Sequence, residues 1–106
     1  MGHKINLKYV LKNVQGEALT NAAKTPLTAL MVIQECLLAD APGVTYTSEE
    51  KVRSGYLAYK KLFEDDPELT TEELALIEKR CNSACTTAAW FQIKGILDGK
   101  PDPLCD

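Results

Sequence analysis

The chain has 106 residues, of which 45% are hydrophobic and 25% are charged, proportions typical of a soluble globular domain and not of a disordered or fibrous protein. With 12 Lys and Arg against 15 Asp and Glu, the formal net charge is −3, which disfavours a general nucleic-acid binder with a dominant basic face. No apolar run reaches the roughly 18 to 20 residues of a membrane helix, and the first ten residues lack signal-peptide features. We therefore expect one cytoplasmic domain over residues 1–106, with an ordered core over 4–98 and a flexible tail over 99–106.

The N-terminal segment alternates between apolar and polar residues. Apolar side chains share one parity from Ile5 to Leu11, and lysines fall on the other parity. A period of two predicts a half-buried strand over residues 4–12. Gly16 can supply the positive φ of a tight turn, which predicts a β-hairpin that returns through Thr20. Because two strands alone are marginally stable, we expect this hairpin to pack on helices or to pair with a second copy of the chain.

Two helices are predicted in the middle of the chain. The first begins with Thr25 as the cap and Pro26 at the first helical position, and it ends near Ala39. The second begins at a capping box formed by Thr47 and Glu50, in which each side chain accepts from the other residue's backbone N–H. Apolar residues at helical spacing then make up the apolar stripe of this helix: Val52, Tyr56, Tyr59, Leu62 and Phe63.

Two further helices complete the predicted fold. A second capping box, Thr70 with Glu73, starts the third helix. Poor helix formers over residues 82–87 predict a stop or bend, and a last helix follows from residue 88 to a glycine C-cap at Gly99. No internal repeat is found at a convincing period. The expected fold class is α+β, with an N-terminal β-hairpin packed on three to four α-helices in one small domain.

Cysteines are the first candidate for a chemical site. Cys81 and Cys85 lie four residues apart on the third helix and therefore share one face. They could supply two ligands to a metal, but a structural zinc site needs four. The remaining thiol and imidazole groups are Cys36, Cys105 and His3. Because free cysteine also packs as a small hydrophobe, the sequence favours core packing, and we expect no metal and no cofactor.

Lysines on the predicted strand are the second candidate. Lys4, Lys8 and Lys12 would share one strand face at a spacing of about 13 Å. This arrangement makes them a candidate anion-binding face. Lysines on an exposed edge also prevent edge-to-edge aggregation, and that simpler interpretation is favoured.

Aromatic residues are the third candidate. Tyr56, Tyr59 and Trp90 could line a pocket that stacks on a planar ligand, or could form an interface. Aromatic residues at helical spacing more often pack in a core, where a tyrosine hydroxyl needs one hydrogen-bond partner.

Signatures of catalysis are not found in the sequence. The single histidine is His3, and there is no GxGxxG, phosphate-loop or HExxH pattern. Most acidic residues lie at helix starts or in loops, where they complement the helix dipole. We therefore expect a protein that is not an enzyme.

Three stretches carry a resemblance to known proteins: "KINLKYVLKNVQGEAL", "EEKVRSGYLAYKKLF" and "ELTTEELALIEKR". Together they resemble a group of short proteins encoded by bacteriophages and prophages, over about residues 4–97. Residues 81–87 and the proline-containing tail depart from the pattern of that group. The resemblance carries no catalytic motif, and it implies a small accessory protein that acts in the bacterial cytoplasm.

The leading functional prediction is a non-enzymatic protein that binds a host or phage macromolecule. A homo-oligomer is also expected, with a dimer formed through the hairpin edge or the helix of Trp90. The alternative is a protein that sequesters a nucleotide-like anion, either on the face of Lys4, Lys8 and Lys12 or in a pocket between subunits. DNA binding through the helices is disfavoured, because the third helix begins with acidic residues that would approach phosphate.

Overall fold

A computed structural model describes residues 2–104 and shows a helical domain. Over these residues the structure is 49% helical and has four α-helices. They are α1 (Ala29–Leu38), α2 (Ser48–Tyr59), α3 (Thr71–Ala84) and α4 (Thr87–Leu97), with a short 3-10 helix at Lys61–Phe63. Residues 2–104 contain no strand and no sheet, so the predicted α+β fold with an N-terminal β-hairpin is wrong.

The N-terminal segment keeps the alternation of a strand without forming one. Tyr9 and Leu11 are buried, while Lys4 and Lys8 are exposed, as the period of two predicts. Within residues 2–12 the β-pairing is limited to isolated bridges with three different partner segments. Residues 7–8 form a turn, in which the N–H of Tyr9 donates to the carbonyl of Asn6, so the alternation does not come from one continuous extended strand. The predicted partner across Gly16 is present, but this pairing stops at the single bridge of Lys12 with Ala18, too short for a hairpin.

Three leucines spaced eight residues apart tie the N-terminal segments together. The N–H of Leu11 donates to the carbonyl of Leu27 at 2.9 Å, that of Leu27 to Leu19 at 2.8 Å, and that of Leu19 to Leu11 at 2.8 Å. These bonds form a closed ring in which each leucine donates once and accepts once. Backbone groups that a sheet would pair in a ladder are paired here among three separate segments.

Two loops with the same design connect these leucines. The side-chain oxygen of Asn13 accepts from the N–H groups two and four residues later, and that of Asn21 does the same. The residue three positions after each asparagine has a positive φ, 84° at Gly16 and 63° at Lys24. An eight-residue repeat is thus present, and the expectation of no internal repeat is wrong. Lys24 occupies a conformation that suits glycine.

Each α-helix begins at a threonine. Thr28 caps α1, and the predicted start at Thr25 is wrong because Pro26 is held in a β-bridge with Thr20. The two predicted capping boxes are confirmed, with both reciprocal hydrogen bonds present in each. These boxes are Thr47 with Glu50 on α2 and Thr70 with Glu73 on α3. Thr86 caps α4.

Packing between helices places the core around α1. Helix α1 contacts the other three helices, α2 packs also on α3, and α3 packs also on α4. The guanidinium of Arg80 on α3 is 2% exposed and lies 4.0 Å from the ring centre of Tyr46. It donates to the hydroxyl of Ser54 on α2 and to the carbonyl of Ala39, the C-cap residue of α1. Arg80 therefore joins three helices, through a buried hydrogen bond to Ser54 and a partly buried one to Ala39.

Gln92 on α4 fixes the N-terminal segment to the helices. Its side-chain oxygen accepts from the Tyr9 hydroxyl and from the Lys12 N–H, each at 2.9 Å. Its amide nitrogen donates to the Lys12 carbonyl at 2.9 Å and to the Ala88 carbonyl at 3.0 Å. This side chain is 3% exposed. Its amide pairs with the backbone N–H and carbonyl of Lys12, the two groups that a neighbouring strand would pair in a sheet.

The chain that follows α4 lies against the domain as far as it is described. Pro103 is buried, and a methyl group added at Gly95 would clash with its side chain. The side-chain amide of Asn6 donates to the carbonyl of Pro101 at 2.9 Å. Residues 105–106 of the predicted flexible tail lie outside the described part of the chain.

Candidate functional site

An exposed apolar surface on α2 is the first candidate site. It consists of Val52, Tyr56, Tyr59 and Phe63, which are 70%, 48%, 69% and 66% exposed, and we call it the α2 aromatic face. Val52, Tyr56 and Tyr59 fall within an arc of about 60° around the helix at 100° per residue, and Phe63 follows in the 3-10 helix. Their spacing therefore produces one continuous stripe.

The buried face of α2 is a different set of residues. Ser54, Leu57 and Ala58 are between 1% and 2% exposed, and Leu62 beyond the helix is 2% exposed. Of the apolar stripe in the sequence, Leu62 is buried, whereas the other four residues are exposed. Helix α2 is apolar on two faces, and helical periodicity alone does not select which of them is buried.

Charged groups and a cavity border the α2 aromatic face. Arg53 pairs with Glu49 on the same helix at 2.8 Å and approaches Glu72 of α3 at 3.5 Å. A cavity of about 240 Å³ lies between the two helices, with Tyr56 and Leu76 in its wall. The surroundings are polar and of mixed sign, as in the rim of a protein interface.

Trp90 is not part of this surface. It lies on α4, is partly buried and packs against the core. Tyr56 and Tyr59 lie together on α2, which packs on α1 and α3. The predicted group of Tyr56, Tyr59 and Trp90 is therefore divided between two helices. A shared pocket or interface remains a prediction for the two tyrosines on the α2 aromatic face.

The three lysines of the predicted anion-binding face no longer share a strand. Lys4 is paired with Asp66 at 2.7 Å, and this contact raises the pKa of Lys4. Lys8 lines a cavity whose wall includes Glu64, Asp65 and Asp66. Carboxylates on that wall repel anions. Residues 7–8 form a turn between Lys4 and Lys12, so the three lysines do not lie along one continuous strand.

Three cysteines form the second candidate site, the three-cysteine cluster of Cys36, Cys81 and Cys85. Their Sγ atoms all lie within 4.8 Å of one another, and those of Cys36 and Cys85 are 3.3 Å apart. Cys36 comes from α1 and is 6% exposed, Cys81 from α3 is fully buried, and Cys85 at the end of α3 is partly exposed. Local periodicity found Cys81 and Cys85, but no local pattern indicates that Cys36 would join them.

Mutual hydrogen bonding makes the three thiols unequal. Hydrogen bonds with Cys36 and Cys81 hold the pKa of Cys85 well below its usual range, against the opposing effect of burial. Hydrogen bonds to Cys36 and Cys85, together with burial, raise the pKa of Cys81. For Cys36 the hydrogen bond with Cys81 lowers the pKa, but the bond with Cys85, burial and nearby negative charge raise it overall. Of the three cysteines, Cys85 is therefore the one whose ionised form these contacts favour.

Comparison with known proteins assigns no family to the chain. No family model, no curated protein and no solved structure matches it. Among the described residues, none of the helices combines the length and the apolar character needed to cross a membrane.

Proposed function

We propose that this chain is a small non-enzymatic binding protein that docks the α2 aromatic face onto another protein. The observation that carries the proposal is the exposure of Val52, Tyr56, Tyr59 and Phe63 on a helix whose opposite face is already packed. The resemblance to phage and prophage proteins agrees with an accessory role of this kind in a bacterial cytoplasm.

The composition of the face supports a protein partner. Tyrosine and phenylalanine are enriched at protein interfaces, and tyrosine is common among the residues that dominate binding energy. Charges of both signs lie alongside, including the ion pair of Arg53 with Glu49. A nucleic acid would need a dominant basic surface.

The size of the face supports a transient contact with a different protein. An aromatic side chain offers about 150–250 Å², so the three aromatic residues at 48–69% exposure present on the order of 350 Å². Patches of about this size on monomers are often functional. A stable dimer buries about 800 Å² per partner and is more apolar in the obligate case. The exposed area of the α2 aromatic face therefore fits the centre of a small interface with a polar rim.

Site-specific photo-crosslinking tests the proposal in cells. A photoreactive phenylalanine analogue replaces Tyr59 in the full chain, and the matched control carries it at Phe91, which is 63% exposed on α4. We expect a discrete adduct from position 59 that is absent from position 91 and is lost when Tyr56 is changed to serine. Equal adducts from both positions, or none from position 59, would contradict the proposal. An adduct with a second copy of the chain would reassign the face to a homo-oligomer.

A further inference from the structure

We propose that the three-cysteine cluster is a binding site for one thiolate-seeking divalent cation of the zinc class. The inference is independent of the proposed protein-binding function, because the cluster lies on α1 and α3 and shares no residue with the α2 aromatic face.

The positions of the sulfur atoms fit such an ion. Zinc binds thiolate at about 2.3 Å with tetrahedral angles, which sets neighbouring sulfurs about 3.8 Å apart. The observed Sγ separations begin at 3.3 Å, between Cys36 and Cys85, and none exceeds 4.8 Å. Side-chain shifts of about 1 Å or less therefore bring all three sulfurs to coordinating distance.

The donor set selects the kind of metal. All three candidate donors are cysteine sulfurs, and soft thiolate ligands select zinc and related ions over magnesium or calcium. A divalent ion leaves three thiolates with a net charge of −1, whereas a monovalent ion would leave −2 in a largely buried position, where charge is costly. The nearby carboxylate of Glu35 adds to that cost, which favours the divalent ion.

An open route to the cluster supplies access and a fourth ligand position. A cavity of about 500 Å³ reaches Cys36 and Cys85 from the surface, between apolar walls that include Leu38 and Ala89. Three protein ligands with a fourth position left to water is an established arrangement for zinc. Cys81 lies at the closed end and Cys85 at the open end of the cluster.

Cadmium binding to the reduced full chain tests the site, with a phosphine used as the reductant because it does not compete as a thiol. We expect one Cd²⁺ per chain, with an ultraviolet thiolate-to-metal absorption band, and one Zn²⁺ per chain in competition with a chelator, which the softer Cd²⁺ displaces. Cys85→Ser should weaken binding by about tenfold or more and reduce the band. Cys105→Ser is the matched control and should leave both the stoichiometry and the band unchanged.

The variants are chosen so that failure to fold does not mimic loss of a ligand. Cys85 is partly exposed and serine is nearly isosteric, so Cys85→Ser should keep the circular dichroism and the cooperative melt of the wild type. The proposal is overturned if stoichiometric cadmium gives no thiolate band, if Cys85→Ser keeps the full band, or if Cys105→Ser abolishes it.

Discussion

Paired substitutions on one helix test whether α2 buries the face that the structure assigns to the core. Leu57 is 1% exposed and Tyr59 is 69% exposed, two positions further along the same helix. We expect Leu57→Ala to be strongly destabilising and Tyr59→Ala to be nearly neutral. The sequence periodicity alone predicts a large cost at Tyr59.

The expected magnitudes follow from burial. Removing a buried leucine side chain costs about 2–5 kcal/mol, since transfer energy is lost and a cavity remains. A loss of about 3 kcal/mol in the free energy of unfolding lowers the Tm of a domain of this size by roughly 12–24 °C. Tyr59→Ala removes few packed contacts and introduces the best helix former, so its effect on the free energy of unfolding should stay within about 0.5 kcal/mol.

Urea unfolding followed by circular dichroism measures both values, with the slope m checked for constancy. A cost of about 2 kcal/mol or more for Tyr59→Ala at low protein concentration would refute the assigned burial. If that cost appears only at high concentration, the face is buried against a second copy, because association stabilises the folded state by mass action.

Three further outcomes are expected. Gln92→Leu should cost about 2–4 kcal/mol in urea unfolding, because it leaves the partly buried backbone N–H and carbonyl of Lys12 and the buried Tyr9 hydroxyl without this partner, while Gln15→Leu at an exposed loop position should be nearly neutral. Equal effects of the two substitutions would contradict the role of Gln92 in holding the N-terminal segment. Lys24→Gly should stabilise by about 0.5–1 kcal/mol and Gly16→Lys should destabilise by a similar amount, since both sites require a positive φ; a loss of stability in Lys24→Gly would refute the loop geometry. Alkylation of Cys85, followed by mass spectrometry, should stay fast as the pH falls from about 8.5 to 7, whereas in urea it should slow about tenfold per unit. Because the pKa of Cys85 is lower in the folded than in the unfolded chain, ionisation of this thiol stabilises the fold fully above the unfolded-state pKa, and this stabilisation declines as the pH falls towards the folded-state pKa. Identical pH profiles of the alkylation rate in the native protein and in urea would contradict the hydrogen-bonded thiolate.

Local signals in the sequence located the helices well. The capping boxes at Thr47 and Thr70 are set by residues three positions apart, so the chain itself specifies where α2 and α3 begin. The predicted stop near residues 82–87 is also confirmed, because α3 ends at Ala84 and α4 begins at Thr87. These features depend on neighbours within one helical turn.

Features that depend on distant residues were not predictable in the same way. The alternation up to Leu11 correctly indicated which side chains are buried, but the partners of its backbone, Leu19 and Leu27, are set by two asparagine loops. Cys36 meets Cys85 across 49 positions of sequence, and no local pattern reports such a contact. The buried side of α2 was ambiguous because both of its faces carry large apolar residues.

The most direct test of the protein-binding account is the dissociation constant of the crosslinked partner, measured by calorimetry with the purified wild-type chain, Tyr59→Ala and the control Phe91→Ala. The account predicts that Tyr59→Ala weakens binding about 30-fold or more, as expected for a central interface residue worth about 2 kcal/mol, with Phe91→Ala unchanged. Equal affinity of Tyr59→Ala and the wild type would contradict the account.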